Sequence, residues 1–207
     1  MTEPESAEDD SGRVRRILDA AHAVFLEQGY AGTTMDAVAR HAGVSKATLY
    51  VYFDGKDALF TAMVERARRR LSEAVRGITT STGTAPLERL RRAGLEFLRF
   101  VVSPSALTLF RAVIAETQRF PLLGGQVFNL GRNEILDVFA DALRHCDTSG
   151  ALRIPDPEEA ARQFLALVKS DLHLRCLLEP GLLVTEERLD QNVDSALALL
   201  RSHYRPG

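Results

Sequence analysis

Residues 33–53 read TTMDAVARHAGVSKATLYVYF, and the rest of the chain is organised around them. Two short helices meeting at a steep angle need a tight turn, a small residue at the crossing and an apolar anchor on each helix. Ala39 is small enough for the crossing, and Gly43 can take a left-handed turn conformation without a Cβ penalty. Val44 is the apolar residue after the turn, Ser45 is placed to cap the second helix, and Val38 and Leu49 are the inward anchors. An ordinary tight αα-hairpin has the same spacing, so the outward residues matter. The second helix leaves Lys46, Ala47, Thr48 and Tyr50 outside, with an N-terminal end suited to the major groove of DNA. Lys46 can reach a phosphate or guanine, and Ala47 and Thr48 can approach a thymine methyl. Tyr50, Tyr52 and Lys56 follow at spacings suited to phosphates. Thr33 and Thr34 can do the same at the preceding helix start, with Asp36 as a capping partner of Thr33.

Working outward, apolar residues recur at three- and four-residue spacing almost everywhere, which predicts an all-α chain. Ile17, Ala21, Val24 and Phe25 stripe a first helix that Gly29 is placed to end. Asp54-Gly55 interrupts the pattern, and a long helix follows from Lys56 to about Gly77. The small polar stretch 78–86 is a loop, and further helices are expected over 87–102, 105–118, 121–146, 157–178 and 186–203. Asp156-Pro157-Glu158-Glu159 and Thr185-Glu186-Glu187 are helix starts with a capping side chain and acids near the positive dipole end. Gly124, Gly125 and Gly131 inside a helical pattern permit a bend, close packing beside a ligand or a looser helix start. The expected organisation is a disordered acidic tail over 1–12, a helix-turn-helix domain with its linking helix over 13–77, and a helical ligand-binding and dimerisation domain over 78–207.

The net charge of −2 is unpromising for a nucleic-acid binder until its distribution is considered. Residues 1–10 hold five acids and no base, whereas residues 11–70 hold ten Arg or Lys against six Asp or Glu. The basic excess therefore sits with the hairpin, as a DNA-binding head on a near-neutral body requires.

The stretch RRILDAAHAVFLEQGYAGTTMDAVARHAGVSKATLYVYFDGKDALFTAMV resembles the DNA-binding head of TetR/AcrR-type bacterial transcriptional regulators. The likeness is carried by Gly29-Tyr30, Thr33-Thr34, Ala39, Gly43-Val44-Ser45, Leu49-Tyr50, Tyr52-Phe53, Lys56 and Leu59. Phe110-Arg111 through Glu116 to Phe120-Pro121, then Asp156-Pro157, looks more loosely like one ligand-binding subgroup. The resemblance implies a homodimer that binds a double-stranded DNA operator through Thr33, Thr34, Lys46, Ala47, Thr48, Tyr50, Tyr52 and Lys56. It also implies a four-helix interface built by the last two helices, and a small molecule that binds in the body and releases the operator. The implied role is a repressor of palindromic operators, with a small apolar or aromatic effector of unknown identity; the two cysteines, which give no disulfide framework, place it in a reducing cytoplasm.

In the body, 157–178 is apolar over more than one stripe and 186–203 repeats the pattern, which predicts cover on two sides. A buried central helix of a monomer explains this as well as a dimer does. The dimer reading places Leu165, Val168, Leu172, Leu189, Val193, Ala196, Leu197 and Leu200 at the interface. A cluster of aromatic and branched residues either fills a core or lines a ligand cavity. The cavity reading takes Phe97, Val101, Phe110, Val113, Ile114, Phe128, Phe164 and Leu167 as walls, with Arg111, Asn129 and His173 as polar anchors.

No phosphate-cradling Gly loop, nucleophile elbow or Glu-x-x-His pair is present, so no catalytic residues and no cofactor are expected. His173 with Cys176 and His145 with Cys146 do not make the paired ligand motifs of a zinc site, and no metal is expected. No apolar run reaches membrane-spanning length, the N-terminus lacks a signal-peptide pattern, and two cysteines give no disulfide framework. A composition 45% hydrophobic and 26% charged fits a soluble globular protein, and no membrane partner is expected. The competing class is a helical enzyme or small-molecule carrier that merely retains the hairpin; it gives no reason to keep Lys46, Thr48, Tyr50, Tyr52 and Lys56 together.

Overall fold

A computed structural model describes residues 5–117, 125 and 132–205, and among them the regular structure is helical with no strand. The helices are α1 (Glu5–Gly32), α2 (Met35–Ala42), α3 (Lys46–Tyr52), α4 (Lys56–Thr79), α5 (Pro86–Val101) and α6 (Pro104–Glu116). After residue 131 come α7 (Arg132–Thr148), α8 (Pro157–Lys169), α9 (Leu172–Leu178) and α10 (Glu186–His203). No single helix among the described residues is long and apolar enough to cross a membrane.

The described residues divide into two units. One runs to Ala67 and resumes at Thr108; the other holds Arg68–Leu107 and the residues after 131. The boundary expected after residue 77 therefore falls ten residues earlier, inside α4. The return of α6 to the first unit was not expected either. Its cause is the face formed by Leu109, Ala112 and Val113, of which Val113 is buried in the first unit's core. α1 begins at Glu5, within the stretch expected as a tail.

The first unit is built on Ile17, Ala21, Val24 and Phe25 of α1, Val38 of α2, Leu49 of α3, and Leu59 and Phe60 of α4. Phe25, Tyr30 and Phe60 form an aromatic triad with ring centroids 5.0 to 5.8 Å apart. Gly29 breaks the helical path of α1 at φ 69°, a region open to glycine at little cost.

In the second unit α5, α7, α8 and α10 share one core. Phe139 meets Phe97 at 6.0 Å and Phe164 at 5.8 Å between ring centroids. Gly94 makes the closest approach: a Cβ there would lie 3.2 Å from the Phe164 ring and 3.3 Å from Val193. Asp156 caps α8 by accepting from the Glu159 amide at 2.9 Å, and Thr185 caps α10 from the Arg188 amide, as their sequences predict. Arg91 of α5 binds Asp190 and Asp194 of α10, and Arg99 binds Glu186, fastening the two helices along their exposed edge.

One helix was expected over 157–178, but Ser170 interrupts it at φ 46° and ψ −145°. A non-glycine residue in that region is strained, so packing on both sides of the break must hold it there. Apolar periodicity continues across position 170 and gives no sign of the break.

Candidate nucleic-acid interface

The hairpin's geometry follows from its turn. Gly43 ends α2 at φ 65°, its amide donating to the Arg40 carbonyl at 3.2 Å while the Val44 amide donates to Ala39 at 3.0 Å. This double hydrogen bond closes the α2 C-terminus as a Schellman motif. Ser45 then starts α3, accepting from the Thr48 amide at 3.0 Å, with the two hydroxyls 2.7 Å apart. Val38 and Leu49 are fully buried and Ala39 nearly so, so the anchors and the crossing lie where the spacing placed them.

What remains outside α3 is the candidate reading face. Lys46 and Ala47 are exposed, Tyr50 is 43% exposed, and Val51 is 79% exposed. Val51 was not among the expected residues. Its signal was available, because it lies four residues after Ala47 and so on the same helical face. An apolar side chain left this bare on a capped helix is suited to a thymine methyl. Lys46 is engaged with Asp36 of α2 at 2.8 Å, and that carboxylate raises the ammonium's pKa. Both partners are exposed, so the pair is weak and easily exchanged for a phosphate or base.

Other expected contacts have duties within the fold. Thr33 is 2% exposed, and its hydroxyl donates to the Gly29 carbonyl at 2.7 Å. It stitches the kink at Gly29 and is removed from the contact surface. The cap of α2 is Thr34, which accepts from the Ala37 amide at 3.1 Å, and not Thr33 with Asp36. Lys56 donates to the Tyr30 carbonyl at 2.8 Å and stands 4.5 Å over the Tyr30 ring, while the Tyr30 hydroxyl donates to Asp57. Its ammonium locks α4 to the end of α1, with part of its surface still open. Tyr52 donates to Asp10 at 2.5 Å and accepts from Arg13 at 3.3 Å, so its hydroxyl is already held by α1. Thr48, half-buried, serves the α3 cap.

The eight residues expected at a dimer interface are all buried within the single chain, Leu197 being the most open at 9%. The bare apolar residues of this region are Leu167, Leu174, Leu178, Leu183 and Leu199, which periodicity alone did not separate from the buried set. Leu167 and Leu199 line a shallow groove between α8 and α10, with Gln163, Ala166, Leu200, His203 and Tyr204.

The expected cavity residues are dispersed. Phe97, Val101 and Phe164 are packed in the second unit's core, and Val113 lies in the first unit's core. Ile114 and Leu167 are exposed, at 58% and 37%. Phe110, Arg111 and His173 are half-buried, burial lowering the His173 pKa, with Lys169 adding to it. Phe128 and Asn129 lie outside the described residues, as do Gly124, Gly131 and the start expected for the 121–146 helix. Gly125 has open space around its Cα. Among the described residues no cluster of three or more His, Cys, Asp or Glu side chains could hold a metal ion. Cys146 and Cys176 are buried, and burial pushes the Cys146 thiol up to about 11, so it stays protonated and unreactive at neutral pH.

Residues 17–63 match a family model described as bacterial regulatory proteins, tetR family, and residues 88–206 match that of the AefR-like transcriptional repressor C-terminal domain. An HTH-type transcriptional regulator of Mycobacterium tuberculosis is 34% identical over 173 residues, 84% of this chain and 78% of that protein. The HTH-type regulator YhgD of Bacillus subtilis is 30% identical over 75% of this chain and 80% of its own length. Among solved structures, a protein of Mesorhizobium loti described as a TetR-family regulator shares the fold at a TM-score of 0.84 and 24% identity, covering 98% of this chain and 99% of its own. The flavonoid-responsive regulator FrrA is 31% identical at a TM-score of 0.72, with 95% of this chain and 98% of its own covered.

Proposed function

The chain belongs to the TetR family of bacterial transcriptional regulators, and we propose that it is a repressor: a homodimer that binds a palindromic operator and is released by a small apolar or aromatic effector. The family is one of DNA-binding regulators, not of enzymes, which leaves the carrier alternative without support. The observation that carries the reading is the face of α3, where Lys46, Ala47, Tyr50 and Val51 are exposed on a helix whose caps and anchors are satisfied. An isolated seven-residue helix is unstable in water; here packing and capping hold it in one orientation, as groove recognition requires.

Repression is favoured over activation because the model matching the body is described as that of a transcriptional repressor. The flavonoid response of FrrA supports an aromatic effector. A two-fold dimer doubles the contacts and matches a palindrome. Its proposed surface is the groove between α8 and α10, where Leu167 and Leu199 stand bare beside Leu200.

A mobility shift on duplex DNA from the protein's own upstream region, with the mass measured by light scattering, tests this. Salt-sensitive binding by a dimer to one inverted repeat is the expected result. A monomer at micromolar concentration, or binding indifferent to sequence, contradicts it.

A further inference from the structure

On the α4 face that enters the second unit, polar residues stand where an apolar stripe is expected. Arg68, Ser72, Val75 and Thr79 share that face at spacings of four, three and four residues. Leu71 and Val75 belong to the unit's core, yet Ser72 between them is 1% exposed. Thr79 satisfies itself by donating to the Arg76 carbonyl. The other two do not: the Ser72 hydroxyl and Nη1 of Arg68 are shut from solvent with no hydrogen-bond partner. Burial lowers the Arg68 pKa, and no carboxylate opposes that shift.

A buried, unpaired donor costs free energy, and a guanidinium costs more than a hydroxyl. Two such donors one helical turn apart make a matched pair, since a planar guanidinium fits a two-oxygen anion and a serine hydroxyl can donate to the same group. We infer that Arg68 and Ser72 form an anion-recognising subsite that takes the carboxylate of a small-molecule effector. The inference rests on the reading that the body binds an effector, and it adds the effector's charge. Periodicity alone presents Arg68 as one of the arginines of a solvated α4 face.

The test is calorimetry on the full chain, without DNA, using 3-phenylpropionate and decanoate beside their neutral amides. The carboxylates should bind at least roughly tenfold tighter than the amides. Arg68→Met should erase that preference while leaving the melting temperature of the unliganded protein equal or higher, because a half-buried guanidinium with an unpartnered Nη1 has been removed. Ser72→Ala should weaken carboxylate binding less. Equal affinity for acid and amide, failure of both acids to bind, or a fall in melting temperature on Arg68→Met each overturn the inference. The wild-type comparison stands even where a variant does not fold. An amide that binds as well as its acid and still releases operator DNA leaves the repressor reading intact and ends this one.

Discussion

Two seven-residue helices, α3 and α9, are built from similarly apolar sequence and carry it differently. In α3 only Leu49 is buried, Ser45 caps the start, and the exposed residues form one chemically readable face. In α9 Leu172 and Cys176 are buried while Leu174 and Leu178 stand bare, no side chain caps the start, and a strained Ser170 precedes it. The contrast teaches where local rules suffice. Turn, cap and anchor define α3 within twenty residues of chain, whereas α9 owes its position to distant helices.

The largest effect should come from the anchors. Leu49→Ala should lower stability by about 2–5 kcal/mol and abolish operator binding, and Phe164→Ala by about 3–5 kcal/mol, both read by chemical denaturation. If the units differ as described, the folded fraction of Phe164→Ala keeps its operator affinity. Loss of base preference in that variant would break the comparison.

On the α3 surface the expectation is reversed. Lys46→Ala and Val51→Ser should each change base preference by roughly 1–3 kcal/mol in competition binding. Stability should stay within about 0.5 kcal/mol, since both side chains are exposed. A large drop in melting temperature would assign these residues to packing.

A finer test separates neighbours. Thr33→Val should cost about 1 kcal/mol of stability and leave the affinity of the folded protein for DNA unchanged, because its hydroxyl serves Gly29. Thr34→Ala should cost about 1 kcal/mol through the lost α2 cap and weaken DNA binding as well, because Thr34 is exposed. The opposite pattern on DNA would return Thr33 to the interface.

The smallest effect is in pH. Burial lowers the His22 pKa from 6.5, opposed by Asp19 and assisted by Arg66. With the folded pKa depressed, protons bind the unfolded chain more readily. This contribution is therefore present above pH 6.5 and fades as pH falls through the folded value. His22→Gln should flatten the fall in stability between about pH 7 and pH 5; an unchanged slope would assign the fall to other groups.

The same contrast explains what the sequence made legible. Ala39, Gly43, Ser45 and Leu49 act through neighbours within six residues, and spacing alone placed all four. Thr33 and Thr34 are adjacent and chemically alike, so only the kink at Gly29 tells the buried one from the cap. In α8 and α10 nearly every outward or inward turn carries a Leu, Val or Ala. Periodicity could say that two sides were apolar but could not separate Leu165 from Leu167, or Leu200 from Leu199. Gly94 looked unremarkable because its reason, the Phe164 ring, lies seventy residues away. Val113, expected as a cavity wall, packs among residues far earlier in the chain, which spacing cannot show.

The most direct measurement of the central claim is selection from a random duplex library by the wild-type chain and by Lys46→Ala. The expected result is one salt-sensitive inverted repeat for the wild type, and a shifted consensus in both half-sites for the variant. An unenriched library, or the same consensus from both proteins, would contradict it.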